Sequence, residues 1–169
     1  LRQITVNTDE LYKIRKSPVK GRFFRYMRTK FGDEPMSMKG SLISGGRYNV
    51  QGLFGALYLG FDRETCEAEV SQGIAAEVPF KRGAFTAWDY TVDLSDVVRL
   101  DDDLILNQLG ISRQDITIPG NHWTASGIGE HLFIRGDVEA IVAPSAHKDE
   151  GLSLDIYLDK VNSNSKVKQ

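Results

Sequence analysis

Apolar residues fall in short runs whose period changes along the chain. "RFFRYM" (residues 22–27) is rich in aromatics and predicts a strand. "GALYLGF" (55–61) is apolar between glycines and predicts a buried strand; Asp62 then stands where a helix N-cap belongs, with Arg63–Ile74 as the helix. "AFTAWDYTVDL" (84–94) alternates as a strand does. "DDDLILNQLG" (101–110) predicts a short helix closed by Gly110, its aspartates gathered at the end that favours negative charge. "NHWTASGIGEHLFIRG" (121–136) predicts a helix with Ile128, Leu132 and Phe133 on one stripe. "VEAIVAPSA" and "LSLDIYL" predict two late strands separated by a turn at His147–Gly151. "FGDEPMSMKGSLISGG" (31–46), with four Gly, one Pro and three Ser, predicts a long loop, and loops of that length tend to be functional.

Strands and helices do not alternate as βαβ units, which points to an α+β fold with mainly antiparallel central sheets and flanking helices. Residues 1–21 read as an N-terminal segment packed on or preceding the domain, 22–160 as the domain itself, and 161–169 ("VNSNSKVKQ" at the end) as a polar tail that frays. A chain of 169 residues, 41% apolar and 26% charged, is expected to form one soluble globular domain. A formal net charge of −2 supplies no overall field to hold nucleic acid by its phosphates, so no direct nucleic-acid partner is expected. "LYKIRKSPVKGR" (11–22), basic at Lys13, Arg15, Lys16, Lys20 and Arg22, reads as a solvated positive face that extends to Arg25. The single Cys66 excludes an intrachain disulfide and a cysteine-rich zinc site, and reads as a small buried residue. There is no apolar run of membrane-spanning length and no visible signal peptide, so a cytoplasmic protein without membrane association is the expectation. The chain begins with Leu1 rather than Met, which is consistent with an upstream piece.

Candidate chemistry concentrates in "SGGRYNVQGLFGALYLGFDRETCEAEV" (44–70). Arg47 follows two glycines in a loop and offers a planar fork suited to phosphate or carboxylate. Tyr58 sits mid-strand, with small Ala56 and Gly60 on its own face, leaving room for a flat group against its ring. Glu69 lies on the following helix near a less polar face, where a carboxylate needs a partner or a task. Taken singly, the three read as a turn residue, a core ring and a solvated acid. Together they suit cleavage of a nucleotide's N-glycosidic bond, whose oxocarbenium-like transition state a nearby carboxylate stabilises.

These motifs resemble the RES domain family. The resemblance is carried by "FFRYM" (Arg25), "GGRYN" (Arg47, Asn49), "ALYLG" (Tyr58), "CEAEV" (Glu69) and "IVAPSA" (Ser145), in the family's order, with "TASGIGEHL" as a further likeness. Tyr48 stands where the family usually has Trp. The likeness runs from about residue 22 to about residue 158. It implies an ADP-ribosyltransferase-like fold and a toxin of a toxin–antitoxin pair that acts on NAD as substrate, with no further cofactor and no metal. The usual partner is an Xre-type helix-turn-helix antitoxin. Arg25 and Arg47 would bind the NAD phosphates, with Tyr26 and Asn49 also at the ligand. Tyr58 would stack on nicotinamide or its ribose, Glu69 would stabilise the oxocarbenium ion, and Ser145 would bond to ligand or order the site. Water, phosphate or a protein side chain remain open as the acceptor, as does a non-catalytic nucleotide-binding module of the same fold.

Other residues compete for the role less well. His122, His131 and His147 lack a ligand spacing and read as surface histidines. Ser145 with His147 lacks an orienting acid and an elbow motif for a serine hydrolase. Trp88 and Trp123 read as core or groove-lining, and "GGRYNVQG" lacks the Lys-Ser/Thr ending of a P-loop.

Overall fold

The structure, a computed structural model, describes residues 6–74 and 83–169; the first five residues of the N-terminal segment lie outside it. Six helices are present among the described residues: α1 (Thr8–Leu11), α2 (Lys39–Ser44), α3 (Arg63–Glu69), α4 (Asp103–Leu109), α5 (Arg113–Thr117) and α6 (Trp123–Arg135). The strands are β1 (Lys16–Arg28), β2 (Leu57–Gly60), β3 (Phe85–Arg99), β4 (Ala140–Pro144), β5 (Leu152–Ile156) and β6 (Lys166–Lys168). Strand order is β1-β2-β5-β4-β3-β6, and β1 also pairs β3 from Lys16↔Val98 to Arg28↔Phe85. The strands β1, β2, β5, β4 and β3 therefore close into a ring, with β6 on the β3 edge beside β4. β3 and β4 run parallel and the other pairs are antiparallel, so the expected α+β class with a mainly antiparallel sheet is what the chain adopts.

Strand alternation sorts the core into two. Inside the ring lie Phe23, Leu57, Leu59, Tyr90, Val92, Ala140, Val142, Leu154 and Ile156. On its outer face Tyr58, Ile141 and Ala143 pack with Tyr48, Phe54, Leu106, Ile128, Leu132 and Tyr157 under the helices. Both faces of β2, β4 and β5 are thus covered, which is why their sequences are so apolar.

α4, α6, β2, β4 and β5 fall where the hydrophobic pattern places them, and Gly110 ends α4 as expected. Several boundaries differ. β1 starts at Lys16, inside the segment set apart as 1–21, because a register shift between Ser17 and Val19 absorbs Pro18, which cannot donate to a ladder. The loop 31–46 contains the helix α2. Regular α-helix ends at Glu69 and passes into a π turn, Val70–Ile74, rather than running on to Ile74. The polar tail does not fray: Lys166, Val167 and Lys168 pair with Asp93, Val92 and Thr91 of β3. The basic face is largely neutralised, since Lys20 meets Asp93 at 2.6 Å, Lys16 meets Asp96 at 2.9 Å and Arg22 meets Asp89. Trp123, expected in core or groove, is 86% exposed at the start of α6. No helix among the described residues is long and apolar enough to cross a membrane.

Candidate active site

Glu69 is the last residue of α3, at the junction with the π turn, a place where such turns often mark function. Its carboxylate is divided in use. Oε1 accepts from the Ser145 hydroxyl and from the Ala146 N–H at 3.2 Å. Oε2 is approached by the Nε2 of His147 at 3.9 Å, and the side chain is about one-third open to solvent, 36%. Ser145 is wholly engaged: its Oγ donates to Glu69 and accepts from the N–H groups of His147 and Lys148, both at 3.1 Å. With its proton on the carboxylate and its lone pairs on the backbone, this hydroxyl orders Glu69 and is not a nucleophile. The turn that carries it is fixed at both ends. Ser145 N–H donates to Gly151 O at 2.8 Å, and Lys148 Nζ reaches Asp62, the N-cap of α3, at 2.9 Å and Glu64 in its first turn at 3.1 Å.

The loop between α2 and β2 presents Arg47. Its Nη1 donates to the carbonyls of Ile116 (3.0 Å) and Ile118 (3.4 Å), so the cation rests on the C-terminal end of α5, the end that favours positive charge. Tyr58 pins this loop. Its hydroxyl accepts from the Tyr48 N–H at 3.0 Å and donates to Asn49 Oδ1 at 2.9 Å. Asn49 in turn donates to the carbonyls of Ser41 (2.9 Å) and Phe54 (2.8 Å) and is 1% exposed. Every hydrogen-bonding group of the Asn49 amide is therefore engaged within the loop, a different task from the ligand contact expected of it. The glycine before Arg47 serves the same packing: a Cβ on Gly46 would collide with the Tyr58 hydroxyl. On the other side, Gly129 of α6 lets the Tyr48 carbonyl come close, where Tyr157 donates to it at 3.0 Å.

Arg25 is placed elsewhere. Alternation along β1 puts it on the side of Phe23, inside the ring, where it donates to the carbonyls of Pro35 (2.8 Å) and Ser37 (3.1 Å) beside the Tyr90 hydroxyl, which also bonds Pro35 O, at 2.6 Å. Burial draws its guanidinium down from the usual range. Tyr26 falls on the opposite side with Phe24, over whose ring Arg63 of α3 lies at 5.1 Å. Of the two, Tyr26 is the one that shares a side of β1 with the helix bearing Glu69. The structure thus joins Glu69 to Ser145 and Tyr58 to Asn49 by hydrogen bonds, brings Arg47 and Glu69 within electrostatic reach of the same His122 and Asp155, and sets Arg25 against the loop at 35–37.

Three residues join the site that the sequence reading left out. His147 has already been placed at Glu69. His122, at the N-cap of α6, is drawn below its ordinary value by burial, with Arg47 and His147 pushing the same way against Glu69. Asp155 on β5 lies opposite Tyr58 of β2 and Ile141 of β4, wholly buried. Burial holds its carboxyl well above the usual carboxylate range; Ser153, which donates to Oδ2 at 3.2 Å, and Arg47 oppose this, and Glu69 adds to it. Its Oδ1 and the Tyr48 hydroxyl have no partner among the described residues. Burial, then Asp155, also keeps the Tyr58 hydroxyl far above its usual value, hence protonated as its hydrogen bonds require. Cys66, 6% exposed, donates to the Phe24 carbonyl at 3.0 Å and is pushed up to about 11 by burial, which makes it inert. Among the described residues no cluster of three or more His, Cys, Asp or Glu is arranged to hold a metal.

The fold is similar to that in the crystal structure of the M. tuberculosis MbcT–MbcA toxin–antitoxin complex. The TM-score is 0.72 with 20% sequence identity, over 96% of this chain and 88% of that one. No curated protein matches the chain in sequence. The RES domain matches residues 22–160, from inside β1 to the segment after β5, and so takes in the Arg47 loop, Tyr58, Glu69 and Ser145 in one span. On that match the chain belongs to the RES domain family.

Proposed function

We propose that the protein is an NAD-cleaving toxin that breaks the nicotinamide–ribose bond. The observation that carries this reading is the division of the Glu69 carboxylate: Oε1 is fixed by Ser145 and Ala146, while Oε2 has only the His147 ring near it, at 3.9 Å, on a side chain about one-third open to solvent. As the C1′–N bond breaks, its electron pair leaves with nicotinamide and positive charge develops on the ribosyl carbon. A carboxylate oxygen held in advance stabilises that charge without reorganising. Arg47, braced on α5 through Nη1, turns its remaining N–H donors toward the pyrophosphate. Tyr26 and the ring of Tyr58 offer the flat surfaces for nicotinamide, while Arg25 acts through the segment it grips at Pro35 and Ser37. This is the division of labour of an ADP-ribosyltransferase-like site. The fold's likeness to the toxin of a toxin–antitoxin complex supports a partner that silences the protein, proposed as an Xre-type helix-turn-helix antitoxin.

Purified protein incubated with NAD is expected to release free nicotinamide. Glu69→Ala should lower the rate by at least about 10²–10³-fold while NAD still binds by calorimetry. An unaltered rate in Glu69→Ala, or an intact protein that releases no nicotinamide with water or phosphate as acceptor, would overturn the reading.

A further inference from the structure

We propose that His147 is the general base that prepares water to attack the ribosyl carbon, making water the acceptor; this rests on the NAD-cleaving reading above. The imidazole Nε2 stands 3.9 Å from Glu69 Oε2, too far for a direct hydrogen bond and close enough for one water to touch both atoms, at a bridging angle tighter than tetrahedral. A water held at about 2.8 Å from each atom lies beside the oxygen that faces the developing oxocarbenium ion. The geometry selects His147 over its neighbours. Ser145 has its proton on Glu69 Oε1 and both lone pairs on backbone N–H groups. Lys148 is occupied by Asp62 and Glu64. Arg47 is a permanent cation braced on Ile116 and Ile118. The His147 side chain is 14% exposed, held in a turn that α3 clamps from two sides, so its ring is fixed in advance.

The step balances. The C1′–N bond has broken with its electrons on nicotinamide. A lone pair of the water oxygen forms the new C1′–O bond, and the water proton passes to His147 Nε2. The products are nicotinamide, ADP-ribose and an imidazolium that later releases the proton to solvent. The charge that Glu69 faced on the sugar reappears on an imidazolium beside the same oxygen, so the carboxylate keeps a counter-charge throughout.

The test is acceptor partitioning. His147→Gln keeps a polar side chain of similar reach but removes the base. Nicotinamide release with water as acceptor should fall about 10²–10⁴-fold. Sodium azide, an anion with no proton to lose, should restore release and give ADP-ribosyl azide; inorganic phosphate should restore it in the same sense. Restored turnover also shows that the variant is folded and binds NAD. Hydrolysis at the wild-type rate in His147→Gln would overturn the assignment. So would loss with water, azide and phosphate alike, which makes the residue structural, and so would a wild-type protein that turns over only with phosphate. A wild-type protein inactive with every acceptor would instead remove the NAD-cleaving reading, and the base with it.

Discussion

Asp155→Asn isolates the electrostatic cost at the floor of the site. Asp155 is 0% exposed, between Tyr58 and Ile141 in the sheet, and the one hydrogen bond to its side chain among the described residues comes from Ser153. Its ordinary value is 3.8, and burial, opposed by Ser153 and Arg47 and reinforced by Glu69, holds the native value well above that. The sign follows from proton counting. Above the ordinary value the unfolded carboxyl has lost its proton while the native one retains it, so folding takes up a proton. Stability then falls with rising pH until the native group itself ionises, at up to about 1.4 kcal/mol per pH unit. Asparagine has nearly the same shape and does not titrate. The stability of Asp155→Asn relative to wild type should therefore climb with pH at close to that slope above the ordinary carboxylate range. Urea unfolding of both proteins from about pH 4 to about pH 8 reads this directly. Parallel curves would refute the reasoning, since they would mean that the native carboxyl ionises as it does in the unfolded chain.

Two further variants probe the scaffold of the site. Ser145→Ala removes a donor to a carboxylate, a contribution of about 1.5–3 kcal/mol, so nicotinamide release should fall about 10–100-fold, and Ser145→Thr should recover part of it by keeping the hydroxyl; equal rates in Ser145→Ala and wild type would remove the ordering role. Gly129→Ala should destabilise by about 1–3 kcal/mol in urea unfolding, because the added methyl runs into the Tyr48 backbone, whereas Gly127→Ala on the same helix meets nothing within 4 Å and should gain up to about 1 kcal/mol of helix propensity.

The regular helices and the covered strands were legible because their signals are local. Ile128 and Leu132 share a stripe, and alternation in "LYLG" sends Leu57 and Leu59 inward and Tyr58 outward. What the pattern hid was non-local or polar. Ring closure rests on β1–β3 pairing across some 70 residues, and Pro18 reads as a break until the bulge beside it is seen. β6 contains one apolar residue, Val167, and is held by backbone bonds to the β3 edge, which composition does not encode. Asp155 misleads for a related reason: in a strand with one wet face, a polar residue between Leu154 and Ile156 points to solvent. Here that face, which Asp155 shares with its cross-strand neighbour Tyr58, lies beneath the helical layer, so the same alternation produces a buried acid.

The histidines show why the chemistry was read only in part. His147 follows Ser145 by two residues, and the sequence shows no orienting acid for the pair. The acid is Glu69, 76 residues from Ser145 in sequence and brought to it because Lys148 ties the β4–β5 turn to the N-terminus of α3 while Ser145 and Ala146 tie it to the C-terminus. The resulting order runs opposite to a serine hydrolase: the hydroxyl serves the carboxylate, not the carboxylate the hydroxyl. A carboxylate with one oxygen locked and one open is arranged to face positive charge. The imidazole at 3.9 Å from the open oxygen is the group on this turn with a nitrogen still available for a proton.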